Sequence, residues 1–323
     1  DKKIPKLMLV QNGLNYNNQQ IKIISDFIEN QNYKRLNQQK YLPNIKEYKH
    51  LKNCKFTTQG LVISNNTNYI NYSCGREGGD YNDKSLKNKV NLKVIDSGIY
   101  LCGKWAQEYW HFIYEYMASC LNIDDYKKYK IIVPNKSKFI MEWLDLIGVS
   151  KDNIVSSDGF AKELIIPRPQ NCGNPSNDIL EVLSKKIVSN LNINYKNRKN
   201  IILIKRTKNR SLINHNELEH HLKKYCLNNK YNLVVHDDSK LPSIKEQLIY
   251  FSNALMVIGP HGAGLSNILV CKRDTKIIEI FMNNNINLCY CDLTIRLGLK
   301  YVGLAATDNR LSLDKLDTHI VQY

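Results

Sequence analysis

The sequence lacks any apolar run long enough to cross a bilayer and any complete set of zinc ligands. No stretch reaches eighteen apolar residues, so the sequence predicts no transmembrane segment in this chain. Cys289 and Cys291 form a C-x-C pair, but neither C-x-x-C nor H-x-x-x-H completes a tetrahedral site, and no metal is predicted. The nine cysteines are odd in number and irregularly spaced. This pattern favours a reducing compartment, such as the cytoplasm or a viral factory, over the secretory lumen.

Acidic residues are few beside basic ones. Against 30 Asp and Glu residues stand 46 Lys and Arg residues, which gives a formal net charge of +16. Such a surface attracts phosphates, polyanions or anionic lipids. The basic residues are scattered from Lys2 to Lys315 without one long run, so lysines spread over all faces remain the alternative. The length of 323 residues allows two α/β domains.

One stretch combines a buried strand, a glycine turn and a helix. Leu255 to Ile258 has the length and composition of a buried strand, and Leu265 to Cys271 has helical spacing. The turn between them presents unpaired N–H groups and the positive end of a helix dipole, which predicts an anion pocket. Its spacing is G-x-x-G-x-G rather than the dinucleotide fingerprint, so a glycine turn without a ligand stays open as an alternative. The candidate residues of the pocket are His261, Gly262, Ala263, Gly264, Leu265, Ser266 and Asn267.

Two further features would complete a nucleotide site. Glu279 follows the glycines at about the twenty-residue distance where nucleotide-binding α/β units place the acid for a ribose hydroxyl. Arg206 and Arg210 follow a predicted strand at residues 200–204. At the carboxyl end of that strand they would face the ligand crevice, and guanidinium groups suit bidentate phosphate contacts. A solvated basic loop is the alternative for the two arginines.

A candidate general base lies earlier in the chain. His111 and Glu115 are four residues apart in a predicted helix at residues 108–121, so their side chains share one side of it. An imidazole oriented by a carboxylate is a competent base, and so is a carboxylate in a dry cleft. Either group is able to take the proton of an acceptor hydroxyl. A simple contact on the helix surface is the alternative.

Three segments resemble the motifs of one enzyme family. GPHGAGLSNILV at 259–270, followed by IIEIF, resembles the C-terminal signature of glycosyltransferase family 61. These DUF563-type enzymes include protein O-linked GlcNAc transferases and plant xylosyl- and arabinosyltransferases. IKRTKNRSLINHNEL at 204–218 is similar to the family's R-x-x-x-R-x-(I/L)-x-N-E segment, and YWHFIYEYM at 109–117 to its H-F-x-x-(D/E) helix.

The resemblance implies an α/β fold of the GT-B type, with two facing Rossmann-like domains. We expect an acceptor-side domain at 1–195 and a nucleotide-sugar domain at 196–323. The implied activity is an inverting transfer of sugar, with a UDP-sugar as the expected donor, to a hydroxyl of a glycan or protein acceptor. His111 or Glu115 would be the base, and no cofactor is required because cationic side chains and a helix dipole replace a metal. The rival classes are an inactive nucleotide-sugar or polyanion-binding protein and, less favoured, a basic nucleic-acid-binding protein.

Overall fold

The computed structural model describes residues 42, 44–70, 92–282 and 287–320, and the statements below concern those residues. They form a mixed α/β structure with two β-sheets, one of seven and one of five strands. The described residues up to Asn192 form one compact unit, and those from Ile193 onward form another. The predicted α/β class is confirmed. No helix in this part of the chain combines the length and hydrophobicity that a membrane span requires.

The first unit is built on the seven-stranded sheet. Its strands are β1 Tyr48–Phe56, β2 Leu61–Ser64, β3 Thr67–Ile70, β4 Lys93–Tyr100, β5 Lys130–Ile132, β6 Ile154–Val155 and β7 Gly159–Pro167. The strand order is β3-β2-β1-β7-β4-β5-β6. Strands β4 to β7 pair in parallel, whereas β1, β2 and β3 extend the sheet in antiparallel fashion.

The helices of this unit bury apolar residues. Besides the helix that begins at Tyr109, they are Lys138–Leu146 and Asn177–Asn190. Ser176 caps the last of these by accepting a hydrogen bond from the Ile179 amide. The helix predicted at 108–121 is confirmed as a helix, but its winding is irregular. A π-helical stretch, Phe112–Met117, separates the short α-helical segments Tyr109–His111 and Ala118–Cys120. Such π turns occur frequently at functional sites.

The second unit is a five-stranded sheet whose strands all run parallel. The strands are β8 Asn200–Lys205, β9 Asn232–Asp237, β10 Ala254–Pro260, β11 Lys276–Phe281 and β12 Lys300–Ala305. Its helices are His215–Asn229, Ile244–Ser252, the 3₁₀ helix Ala263–Val270, Cys289–Arg296 and Leu313–Ile320. The spatial order is β12-β11-β10-β8-β9. The chain therefore moves outward in one direction from β8 to β9 and in the other from β10 to β12.

This strand order creates a switch point between β8 and β10. In open α/β sheets, ligands bind in the crevice at the carboxyl ends of the two strands where the order reverses. Both faces of the sheet are covered, because all six residues of β11 are buried. Ile278 and Ile280 belong to the core cluster shared with the helices His215–Asn229 and Leu313–Ile320. The alternate residues of β11, including Glu279, face the opposite side of the sheet.

Candidate functional site

The two strand ends at the switch point meet through Arg206 and the glycine turn. Arg206 directly follows β8, and its Nη1 donates to the carbonyl oxygen of His261 at 3.2 Å. A Cβ atom at Gly262 would lie only 1.5 Å from that Nη1. A side chain at position 262 would therefore displace the guanidinium, so glycine is required there for close approach. Two segments that the sequence predicts as parts of one site, 206–210 and 261–267, are thus in contact at Arg206.

Arg206 is half-buried, and no carboxylate forms an ion pair with it within the part of the chain that the structure describes. There, neither Arg206 nor Arg210 forms an ion pair, and the Arg206 Nε is buried without a hydrogen-bond partner. Burial is the main factor that lowers the pKa of Arg206, and the like charge of Arg210 lowers it further. Asp238 and Tyr290 act in the opposite direction. A half-buried guanidinium with an unused donor is typical of a site that takes an anion.

The turn offers backbone groups rather than side chains. The helix Ala263–Val270 is a 3₁₀ helix instead of the regular helix expected, and no side chain caps its start. Ala263 is exposed and Gly264 is half-buried. Free N–H groups at an uncapped helix start can bind an anion.

The following side chains anchor the helix to the protein interior. Leu265, Ser266 and Asn267 are all fully buried. The Asn267 amide donates to Oε1 of Gln247 at 3.0 Å, and the Ser266 hydroxyl lies 3.2 Å from that of Tyr290. Of the predicted pocket residues, these three therefore support the turn from beneath. A ligand would meet the backbone at 262–264.

Glu279 has a different environment from the ribose contact that its spacing predicts. The residue is 0% exposed. One carboxylate oxygen accepts from Nδ1 of His261, and the other accepts from the hydroxyl of Tyr301. With both oxygens occupied inside the core, Glu279 presents no acceptor to a ribose in this structure. Its observed partner is the imidazole of His261.

Sequence reasoning missed Tyr301, because its contact with Glu279 depends on how β11 pairs with β12. Tyr301 pairs with Ile277 in the register of β11 and β12, while Glu279 pairs with Gly303. Side chains two residues apart on a strand share a face, so Ile277 and Glu279 lie on the same side of β11. Tyr301 is therefore a diagonal neighbour of Glu279, and its hydroxyl reaches the carboxylate. Finding it from sequence would have required the register of two strands that are distant in the chain.

The structure brings His111 and Glu115 together in the first unit. Nδ1 of His111 lies 2.9 Å from Oε1 of Glu115, and the same oxygen accepts from the Gly173 amide at 2.9 Å. The Glu115 side chain is 0% exposed, whereas that of His111 is 22% exposed. The second oxygen of Glu115 is buried and has no partner among the described residues. Glu115 therefore orients the imidazole of His111 through one carboxylate oxygen, while its other oxygen makes no hydrogen bond to the described residues.

Cys172 adjoins this pair, but it does not complete a metal site. Its sulfur and the ligand atoms of His111 and Glu115 lie within 4.8 Å of one another. Cys172 is disulfide-bonded, so its sulfur is not the thiolate that metals bind. A histidine and one carboxylate remain, which is a poor donor set for a metal. Disulfides persist in oxidising compartments, so Cys172 also points away from the reducing compartment that the cysteine pattern favours.

The comparison with protein families decides the classification. The model described as "Glycosyltransferase 61" matches residues 109–278, more than half of the chain. The chain belongs to glycosyltransferase family 61. The resemblance inferred from the three motifs is confirmed. The matched region contains His111, Glu115, Arg206, Arg210 and the whole glycine turn, and it ends one residue before Glu279.

A curated relative supports the same assignment. The chain is 32% identical over 139 residues to the EGF domain-specific O-linked N-acetylglucosamine transferase of Drosophila melanogaster. The match covers 42% of this chain and 25% of the relative, so this chain spans about a quarter of that protein's length. Among solved structures, a mutant flavo di-iron protein from Thermotoga maritima matches 50% of this chain and 41% of its own. Its identity is 13% and its TM-score 0.31, too low to bear on the fold.

Proposed function

We propose that this chain transfers a sugar from a nucleotide-diphosphate donor, a UDP-sugar, to a hydroxyl of a glycan or protein acceptor, with inversion at the anomeric carbon. The observation that carries the proposal is the Arg206 guanidinium, which forms no ion pair among the described residues and lies against the glycine turn at the switch point of a parallel sheet. The name of the Drosophila relative makes UDP-N-acetylglucosamine the first donor to test.

In this proposal the second unit binds the donor. The diphosphate lies over the turn, where the backbone at 262–264 and the guanidinium groups of Arg206 and Arg210 surround it. These groups stabilise the negative charge that develops on the diphosphate as the bond to the sugar breaks. Fixed cationic and dipolar groups are able to supply that stabilisation without a metal. Leu265, Ser266 and Asn267 hold the turn in place.

The first unit supplies the base. The pair His111–Glu115 takes the proton from the acceptor hydroxyl, whose oxygen attacks the anomeric carbon from the face opposite the diphosphate. The new bond joins the acceptor oxygen to the anomeric carbon, the bond from that carbon to the phosphate oxygen breaks, and nucleoside diphosphate leaves. The fold that we propose for this chain is of the GT-B type, in which two Rossmann-like domains face each other.

Nucleotide binding by matched arginine variants tests the donor site. Thermal shift with UDP, GDP and CMP, followed by calorimetry, compares the wild type with Arg206→Ala and Arg310→Ala. Arg310 is the control because it is exposed and paired with Glu217 at 2.8 Å in the same unit. UDP at a hundred times its dissociation constant should stabilise the wild type by about 2.7 kcal/mol. Loss of a charged hydrogen-bond donor worth about 1.5–3 kcal/mol should weaken binding by Arg206→Ala roughly 10- to 100-fold.

The competing classes give different results in the same assay. If no nucleotide shifts the melting temperature, or if both arginine variants bind like the wild type, the proposed donor site is wrong. Binding of UDP-N-acetylglucosamine without release of UDP, across a panel of glycan and protein acceptors, would indicate an inactive binding protein. Affinity for an oligonucleotide that falls steeply with salt, with no response to UDP, would indicate nucleic-acid binding.

A further inference from the structure

A chain of hydrogen bonds links the interior of the second unit to the turn. The Tyr301 hydroxyl donates to one oxygen of Glu279, and the other oxygen accepts from Nδ1 of His261. Since Nδ1 is engaged, Nε2 is the ring nitrogen left for a ligand. Nε2 has no hydrogen-bond partner among the described residues, and it is absent from the fully buried polar atoms that lack one. It therefore keeps contact with solvent, although His261 as a whole is only 7% exposed.

The ring of His261 is held on several sides. It stacks on Phe281 with a centroid distance of 6.3 Å and meets the edge of Tyr290 at 5.1 Å. Its backbone is fixed as well, because the His261 amide donates to Ile280 and its carbonyl accepts from Arg206. The imidazole cannot rotate without losing the Glu279 hydrogen bond and these ring contacts. The direction of Nε2 is consequently set by the fold.

The buried carboxylate of Glu279 needs a compensating partner. A fully buried carboxylate is costly unless a cation or several donors compensate it. Among the described residues, His261 is the one basic side chain that pairs with Glu279. Burial raises the pKa of Tyr301 and of Tyr290, so both hydroxyls stay neutral and add no competing negative charge. The titratable or charged groups that face this assembly from neighbouring elements are Arg206, Arg210, Tyr290, Cys289 and Cys291.

We infer that Glu279 and Tyr301 are positioning residues that hold His261 with Nδ1–H directed inward, so that Nε2–H of the protonated ring donates to a phosphate oxygen of the donor. The inference rests on the proposed function, because it assumes that a diphosphate occupies the turn. It assigns Glu279 an indirect role in donor binding in place of a ribose contact. It also makes donor affinity dependent on the protonation of one histidine.

The test is the pH dependence of donor binding by calorimetry, with UDP-N-acetylglucosamine and no acceptor. The diphosphate diester of this probe keeps a constant charge from about pH 5.5 to about pH 8.5, the range that brackets ordinary histidine titration. Wild-type affinity should fall as pH rises, because Nε2–H is lost. His261→Gln should bind more weakly and with no such pH dependence. Glu279→Gln replaces the carboxylate that holds Nδ1–H inward by an amide, so it should also bind the probe more weakly than the wild type.

Tyr301→Phe is the conservative variant. It removes one hydrogen bond to the carboxylate but leaves the charge of Glu279, so the pH dependence should persist. Affinity should drop about two- to tenfold, as expected for one hydrogen bond of about 0.5–1.5 kcal/mol. A wild-type affinity that is constant with pH, or a Glu279→Gln profile equal to that of the wild type, overturns the inference. Absence of binding at every pH contradicts the proposed function instead.

A second measurement covers the case in which a core variant fails to fold. Long-range ¹H–¹⁵N spectra of the wild-type histidines, with His261 assigned from His261→Gln, report which ring nitrogen carries the proton. Nδ1 should be protonated in the free protein, and the Nε2 signal should shift when the probe is added. A neutral ring protonated only at Nε2 would contradict the assignment.

Discussion

The two units each contain a histidine whose Nδ1 contacts a fully buried glutamate, but the two pairs differ at the second carboxylate oxygen. In the pair His111–Glu115 that oxygen is buried and has no partner among the described residues. In the pair His261–Glu279 it accepts from Tyr301. The histidines differ too, since 22% of the His111 side chain is exposed against 9% of that of His261.

This difference suits the two His–Glu pairs to different roles, one in binding and one in proton transfer. A carboxylate with both oxygens satisfied is fixed in place and orients its histidine, which suits a binding role. A carboxylate with an unused oxygen retains the capacity to accept a proton or a hydroxyl. The residues that look alike in sequence are therefore expected to act on the two sides of the reaction, His111–Glu115 on the acceptor and His261–Glu279 on the donor.

The largest expected effect comes from Glu115→Gln and His111→Gln. Removing a general base lowers turnover by about 10²- to 10⁴-fold. Donor affinity should remain that of the wild type, because in the proposed mechanism the pair acts on the acceptor. Turnover is measured as UDP release in the presence of acceptor, and affinity by calorimetry.

An exposed pair of the same residue types is the control for this comparison. His50 and Glu163 lie 3.7 Å apart in the first unit, and both are about half exposed. His50→Gln should keep wild-type turnover. Full activity in both His111→Gln and Glu115→Gln would contradict the assignment of the base.

An intermediate effect is expected at Gly262, where the donor side can be tested by coupling. The methyl group of Gly262→Ala would occupy the position of the Arg206 guanidinium, so this variant should bind UDP about as weakly as Arg206→Ala. The two effects should not add in the double variant, because both remove the same interaction. Calorimetry of the two single variants and the double variant gives the coupling. Additive losses would show that Gly262 and Arg206 act independently.

The smallest effect on turnover and donor binding is expected at His236, a histidine beside the turn whose Nδ1 contacts a hydroxyl rather than a carboxylate and which should affect stability instead. This nitrogen lies 2.7 Å from the Tyr250 hydroxyl, and burial lowers the pKa of His236 to about 4. The folded state therefore binds fewer protons than the unfolded state between about pH 4 and about pH 6.5, and stability should fall as pH drops through that window. The loss is on the order of 3 kcal/mol at most.

Melting temperatures of the wild type and His236→Gln across that pH range measure this contribution. The variant should lose less stability on acidification than the wild type. Parallel curves would mean that His236 does not couple folding to pH.

The parts of the fold that could be predicted are those encoded by local pattern. The run Leu255 to Ile258 and the glycines after it predict the strand and turn of β10, and the arginines after residues 200–204 predict a basic strand end. The contact of Arg206 with His261 depends on β8 and β10 being neighbours in the sheet. The sequence does not reveal that these strands pair. The rule that ligands bind at the carboxyl ends of parallel strands nevertheless places both segments at one crevice.

The parts that could not be predicted depend on long-range pairing or on small changes in winding. The role of Glu279 follows from Tyr301, which becomes its neighbour only when β11 and β12 pair. The π turn around Glu115 differs from an α-helix by one hydrogen-bond step, which periodicity does not resolve. Cys172 is disulfide-bonded, whereas Cys120 and Cys226 are free and buried. The irregular spacing of the cysteines in the sequence does not distinguish the bonded residue from the free ones.

The two neighbouring arginines, which form no ion pair among the described residues, also bear on how the protein behaves without its donor. Their mutual repulsion, together with the desolvation of Arg206, is an electrostatic cost that a bound anion would relieve. Inorganic phosphate or sulfate that reaches the turn should therefore raise the melting temperature and compete with the donor. Buffers free of multivalent anions are accordingly the appropriate medium in which to measure sugar-nucleotide affinity.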